Sequence, residues 1–515
     1  MKIKNIILYT ALLGSMSLSS CADFLNEDIN PNELSPSIFW KNEQDILKGL
    51  TSVYAALQPN MEWAIPYERY IVIDNYRSDE IKYRDDVTSW MDIASFNNDQ
   101  NNSVTRGEWT NLYKGINYAN QCIDNIPNVP DTDDDVKALK TQAIAEARFL
   151  RAYFYYRLYI NFGEKIPIYK TQIKGEDSEF YPEQAKEGEL VQFIETELSE
   201  IQANLPEKYD TEEEKGRATR YAAAAILGKF YMFRHELAKA ETEFKKIIDQ
   251  ENTLFKLTEN WNDNFDGLHK NNTESIFEVQ FTGNTTGDHS EYNYITLHLA
   301  TDVIGGYEEA YPSDWIYEVL SNDKTSEGNY SVRTLNTIMI DVPGCQPWYY
   351  ESGKGYSDYH KGGKKYWRKF VTWKEGMSPY WDMSFFNIPI VRYADVLLLY
   401  AECLNDRGAT DDKGKSAIDY INDVRRRAGV PELEAPMGKD EILKHLQDVE
   451  RPCELALEGS RWYDLVRWGI TEQTLKDHNK QLVENYVDTK HKLFPIPHQE
   501  FLLNPDWEQN PNFGK

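Results

Sequence analysis

Past residue 13 the chain contains no long uncharged apolar run, so nothing after its N-terminal stretch supplies the roughly 20 apolar residues that a membrane-crossing helix needs. Basic residues are scarce: 56 Lys and Arg stand against 84 Asp and Glu in 515 residues, a formal net charge of −28. So acidic a balance argues against nucleic acid and against anionic membrane patches as partners, because both need basic surface. Cysteine is sparse. Besides Cys21 there are Cys122, Cys345, Cys403 and Cys453, scattered with no CxxC pair and no histidine at ligand spacing, which leaves zinc and dithiol redox chemistry unsupported. Three of these lie on helical patterns and read as buried thiols. Catalytic signatures are missing as well: the nine histidines form no HExxH pair, and no GxSxG, GxxxxGK or GxGxxG stretch occurs. Carboxylates are plentiful, but abundance does not hold two of them about 5–9 Å apart as a glycosidase requires. A binding protein without a cofactor is the expected class, with a hydrolase as the minor alternative.

What stands at the front is an address. Lys2 and Lys4 open the chain, an apolar run follows from Ile6 to Leu13, and small residues lead to Cys21, the order of parts in a secretory signal. Leu18, Ser19, Ser20 and Cys21 resemble the bacterial lipobox, which implies that residues 1–20 are removed and that Cys21 becomes a lipidated first residue. Removal takes away two lysines and no acid, moving the net charge from −28 to −30. Two or three acyl chains such as palmitate anchor a protein stably, since each buried CH₂ contributes about 0.8 kcal/mol. Residues 21–38, polar and carrying Pro31 and Pro36, read as a tether.

Helical periodicity then begins. Ile46, Leu47, Leu50, Val53, Tyr54 and Leu57 line one face; Trp109, Leu112, Tyr113, Ile116, Ala119 and Ile123 line another; 139–162 forms a longer stripe, and Leu190 to Leu205 a further one stopped by Pro206. Leu227, Gly228, Tyr231, Ala240 and Phe244 stand at tetratricopeptide-repeat offsets, with Ala224 in place of the usual Trp and Ile247 in place of a small residue. Leu404, Ala417 and Ile421 repeat three of those offsets. Stacked helix pairs are expected, since such pairs bury their apolar faces only against neighbours. From 251 to 387 the pattern dissolves into segments rich in Gly, Asn, Thr and aromatics, with only Glu274–Phe281 and the neighbourhood of Trp315 regular. The chain is thus expected to form one unit over 39–515: a helical part (39–250), an irregular ligand-facing part (251–387) and a helical C-terminal part (388–515).

Six blocks in order carry a family resemblance. CADFLNEDINPNELSP at Cys21, AEARFLRAYFYYRLYINFGEKIPI at Ala145, PIVRYADVLLLYAECLN at Pro389, AIDYINDVRRRAGVP at Ala417, ERPCELALEGSRWYDLVRWG at Glu450 and the closing LFPIPHQEFLLNPDWEQNPNF resemble the SusD-like (RagB/SusD) nutrient-binding lipoproteins of the Gram-negative outer membrane. Pro452 and Cys453 depart from the family's plain helical run and predict a kink there. The resemblance implies a mostly α fold of tetratricopeptide-like pairs against a loop-rich second part. It further implies a cell-surface lid that captures an oligosaccharide, or in some relatives a peptide, for a SusC-like TonB-dependent transporter, without catalysis.

Several tempting clusters have plain readings. Asn262, Asn264, Asp266 and Gly267 echo a calcium loop, but the twelfth position is Thr273 with Glu274 one place late, so a turn is expected. The Asp131, Asp133, Asp134 and Asp135 run precedes a helix and reads as its cap. Around Arg461, the residues Trp462, Leu465 and Trp468 share one helical face, while Glu458, Arg461 and Asp464 can pair at helical spacing. Tyr153, Phe154, Tyr155, Tyr156 and Tyr159 read as interhelical packing. With 34 Tyr and 13 Trp the chain still has aromatic surface to spare. A sugar ring wants aromatic faces on its apolar side and amides, carboxylates or Arg at its hydroxyls. Two regions mix these types: Asp74 to Asn98, where the resemblance also implies part of the ligand site, and the irregular middle. From them Asp74, Arg77, Trp90, Phe96, Asn97, Tyr292, Tyr294, Trp348 and Tyr349 form the candidate ligand-binding set.

Overall fold

The computed structural model describes residues 39–58, 65–174, 181–282, 292–343, 345, 355–360, 363–372 and 385–515. Cys21, with the signal and tether, lies outside the described residues, as do Trp348 and Tyr349.

Each helical stripe becomes a helix, and the first three open on a side-chain cap. Helix α1 (Glu43–Ala55) opens where the Asn42 side chain accepts the amides of Gln44 and Asp45. Asn102 does the same for α2 (Ser103–Asn125), and Asp133 caps α3 (Asp134–Phe162), as the acidic run predicts. Helices α4 (Glu189–Glu200), α5 (Arg220–Phe233), α6 (Leu237–Ile248), α7 (Tyr393–Arg407) and α8 (Ala417–Ala428) follow. Consecutive helices of this series pack on one another from α1 to α8, and α1 also reaches α3. Helix accounts for 54% and strand for 5%, which makes the fold mostly α.

Small residues set the approach of the pairs. A Cβ on Gly228 would lie 2.5 Å from Phe244 Cε1, and one on Gly115 2.6 Å from Phe154 Cε2, so each glycine is the hole that receives the facing ring. Tyr153, Phe154, Tyr155 and Tyr156 are buried along α3, and Tyr159 packs edge-on against Phe230 at 5.2 Å. All four described cysteines are free and buried; burial pushes the Cys122 thiol up to about 12.

The middle of the chain contributes two small antiparallel ladders. Strand β1 (Ile81–Tyr83) pairs with β3 (Ala310–Pro312) through Lys82 opposite Tyr311, and β2 (Ser275–Val279) pairs with β4 (Ile388–Arg392). Among the described residues no helix is long and apolar enough to cross a membrane.

The C-terminal charged block threads the interior. Before Pro452 the helix widens into a π turn over Leu446–Glu450, where the missing proline N–H needs no partner, and it ends after α9 (Arg451–Leu455). Positive φ at Leu457 (65°) and Gly459 (76°) breaks the chain before α10 (Arg461–Trp468). The expected pairing of Glu458, Arg461 and Asp464 with one another is therefore corrected. Glu458 takes Arg392 and Lys369, Arg461 takes Asp79 at 2.7 Å, and Asp464 takes Arg451 and Arg467. Trp462 and Leu465 are buried as expected, while Trp468 stays partly open and donates to Glu402.

Glu454 is the hub of this interior charge. Its Oε1 accepts Arg392 Nη1 at 2.7 Å and Trp261 Nε1 at 3.0 Å, and also meets Arg427. Arg333 reaches Oε2 at 3.5 Å while holding Asp323 and Glu450, and Glu274 bridges Arg392 and Arg427 from the other side. Burial pushes the Glu454 carboxyl up, but the three guanidiniums overcome it and hold it well below the usual carboxylate range.

Gly228→Val should lower stability by about 1–3 kcal/mol through overpacking against Phe244. Gly107→Ala on α2, where an added Cβ meets nothing within 4 Å, should raise it by about 0.5–1 kcal/mol; thermal unfolding reads both. Glu454→Ala should cost about 3–5 kcal/mol at neutral pH because it strands buried cations. Since its folded pKa lies below 4.5, the wild-type share of this stability is present above that value and is lost on acidification, which urea melts against pH will show as a slope missing from the variant.

Candidate functional site

Two of the sequence-selected regions converge. Tyr67 ends the turn Ile65–Tyr67, and its ring stacks on His298 of the helix Ile295–Leu299, with centroids 4.2 Å apart at 25°. Trp90, on the helix Thr88–Ala94, lies 5.1 Å from Tyr67 and 5.3 Å from His298. Tyr307 meets His298 edge-on at 5.5 Å. Tyr292 and Tyr294, 6.2 Å apart, form a satellite with Leu297 against which Tyr307 and Phe385 pack. The backbone is shaped for this: Tyr294 takes a left-handed φ of 56°, and the buried Asn293 side chain bridges the Ile295 amide and the Phe386 carbonyl. Residues more than 200 positions apart thus share one aromatic cluster.

A polar rim surrounds the rings. Trp90 Nε1 donates to Glu68 Oε1 at 2.8 Å, which fixes the indole. Arg84, half exposed, binds Asp86 and the Tyr307 carbonyl and lies 3.5 Å from Glu309 Oε1. Glu308 accepts Lys364 at 2.6 Å and the Tyr311 hydroxyl at 3.0 Å. Burial pushes His298 down to about 3, so its ring is neutral. For Glu308 burial pushes the carboxyl up, but Lys364, the Asp302 amide and the Thr301 and Tyr311 hydroxyls bring it down to about 2. Glu309 goes the other way: burial lifts it to about 7, with Arg84 opposing and Asp86 adding. Two adjacent carboxyls therefore hold their protons with very different affinity. The cluster offers ring surface at Tyr307 together with acceptors and one guanidinium, the chemistry of a hydroxyl-rich ligand.

Other members of the candidate set lie elsewhere. The expectation that Asp74, Arg77 and Phe96 line a ligand face is not met. Asp74 is buried on Arg157 (2.8 Å) and the Tyr463 hydroxyl (2.8 Å). Arg77 is sandwiched between Trp462 and Phe494, 4.5 and 3.8 Å from their centroids, with Nη2 on Asn161. Phe96 packs on Tyr486 and Trp462. Alternating charge and aromatic residues describe an interior cation–π and ion-pair layer as well as they describe a sugar site. Asn97 is exposed. Trp90, Tyr292 and Tyr294 sit in the cluster but are only 4–6% exposed, so they support it rather than form an open platform. Sequence reasoning did not single out Tyr67, Glu68, Arg84, His298, Tyr307 and Glu309, the last three of which lie in the segment read as irregular and ligand-facing.

A cavity of about 80 Å³ opens between α3, α5 and α10, and Arg157, Lys229 and Asp464 in its lining are each ion-paired within the protein. Asp263, Asp266 and His269 bring ligand atoms within 4.8 Å of one another. Asp266 is committed to closing the turn, accepting the Leu268 and His269 amides and the His269 ring, in keeping with the turn reading.

The SusD family model matches residues 273–513, and a second, described as starch-binding and associating with the outer membrane, matches 23–232. SusD-like protein P38 of Formosa agariphila is 26% identical across 99% of both chains. A SusD-like protein of Bacteroides ovatus is 30% identical over 70% of this chain and 65% of its own. Among solved structures, a SusD superfamily protein from Bacteroides vulgatus superposes with a TM-score of 0.79 at 27% identity, covering 92% of this chain and 99% of that one. A laminarin-binding SusD-like protein gives 0.72 at 25%, covering 92% and 100%.

Glu309 gives the cluster a pH signature. Its folded pKa of about 7 exceeds the ordinary 4.5, so the folded chain holds the extra proton, and stability should fall as pH rises across that interval and level off above about 7. Glu309→Gln should remove this component, read as a smaller pH slope in urea unfolding than wild type.

Proposed function

We infer, because the chain belongs to the SusD-like family, that it is a glycan-binding protein of the outer membrane. Relatives named for starch and laminarin binding support a carbohydrate ligand. The observation that carries the reading is the union of Tyr67 and Trp90 with His298 and Tyr307, a ring cluster edged by Glu68, Arg84 and Asp86. In this reading Trp90, Tyr292 and Tyr294 buttress the site, and Trp348 and Tyr349, outside the described residues, stay proposed ligand contacts. Acyl chains on Cys21 hold the protein at the cell exterior, and the captured oligosaccharide passes to a SusC-like TonB-dependent transporter. No step of bond cleavage is assigned.

Affinity electrophoresis and calorimetry against laminarin, starch and other polysaccharides test it. Tyr307→Ala should weaken binding about tenfold, roughly 1.4 kcal/mol, with the fold retained by circular dichroism. Binding of mixed peptides with no glycan bound would replace the ligand class, and sugar release during incubation would replace the non-enzymatic reading.

A further inference from the structure

A second surface groove is built from elements that take no part in the aromatic cluster. Its volume is about 190 Å³, and its walls come from α2, from the strand-like segment after α3 and from the helix His498–Leu503. Trp109, Tyr113 and Tyr169 supply the rings: Tyr113 lies 4.9 Å from Trp109 at 53° and 5.8 Å from Tyr169, edge to face. These walls are held in place. Trp109 Nε1 donates to Glu500 Oε1 at 3.2 Å, the Tyr113 hydroxyl donates to the Pro167 carbonyl at 2.9 Å, and Asn117 Oδ1 accepts the Ile173 amide at 3.0 Å. Fixing the rings leaves polar capacity over. Among the described residues the Asn117 amide nitrogen, the second Glu500 carboxylate oxygen and the hydroxyl of Thr110, exposed at the rim, meet no hydrogen-bond partner.

We propose that this groove is a second carbohydrate subsite, taking one neutral pyranose ring against Tyr113 and Tyr169 with its hydroxyls shared among Asn117, Glu500 and Thr110. One donor, one acceptor and one group that does both match vicinal hydroxyls, each of which donates and accepts. A carboxylate at its mouth disfavours acidic sugars, and burial raises the Glu500 carboxyl, which disfavours a binding mode that relies on its full negative charge. The subsite rests on the carbohydrate reading above and adds to it a contact point on the helical scaffold, separate from the cluster around Tyr307. Two points of attachment on one chain would raise the avidity for a polysaccharide that spans them.

Fluorine NMR of the full chain labelled with 5-fluorotryptophan tests this, with Trp109→Phe assigning the Trp109 resonance. Methyl glucosides, laminarihexaose and maltohexaose are the probes. At least one should shift the Trp109 signal. Asn117→Asp, which retains the acceptor for Ile173 and loses the donor, and Thr110→Val should each weaken that response about tenfold with the fold intact. Tyr307→Ala should leave it unchanged. Shifts at other tryptophans with Trp109 still would overturn the second subsite and leave the first reading standing, and silence at every tryptophan would overturn both. A Trp109 response to choline chloride and to no saccharide would overturn the sugar assignment in favour of an aromatic cage for quaternary ammonium.

Discussion

The carboxylate of Glu454, wholly out of water and facing three guanidiniums, is the constraint around which the other elements are arranged. Arg392 arrives from β4, Arg427 from α8, Arg333 from the helix Val332–Thr337, and Trp261 from the irregular middle. A charge with no solvent is tolerable only with its partners in place, so the position of Glu454 dictates the position of four separate segments. Neighbouring centres extend the lattice. Arg451 and Arg467 share Asp464 while holding Asp395 and Glu402, and Arg157 and Arg69 share Glu108. Hydrophobic burial supplies the bulk of the stabilisation, and the charges specify which surfaces meet.

On this frame the helical pairs act as a stage. Gly115 and Gly228 let the α2–α3 and α5–α6 pairs close, and the segment leaving α1 and the segment entering β3 are thereby brought side by side. The aromatic cluster is a consequence of that convergence. Its own contacts are mostly ring on ring, which hold a surface without demanding particular loop sequences around it.

How much of this was legible in the residues depends on range. Caps such as Asn102 and Asp133, and the fit of Gly228 to Phe244, are encoded within a turn or two of helix and can be read directly. The charged block at 450–468 was legible as structural, yet its partners were not: Arg461 meets Asp79 across 382 positions, and no periodicity reports that. The same limit governs the site. Trp90, Tyr292 and Tyr294 could be picked by type, whereas Tyr67, His298 and Tyr307 gain meaning only from the fold. Arg77 and Asp74 show the converse, since a composition suited to ligands is also the composition of a charged interior.

The order in which the chain is made gives the charged core a further meaning. Asp79, Arg333, Arg392 and Asp395 all precede residue 450, while Arg461, Glu450, Glu454 and Arg451 come after it or at it. Asp79 has no ion-pair partner among the described residues before Arg461, whereas Arg333, Arg392 and Asp395 also hold Asp323, Glu274 and Lys229, so the late block completes pairings that the earlier segments begin. Residues 450–468 thus act as a clasp: segments hundreds of positions apart are drawn together by the one stretch that carries charge for all of them.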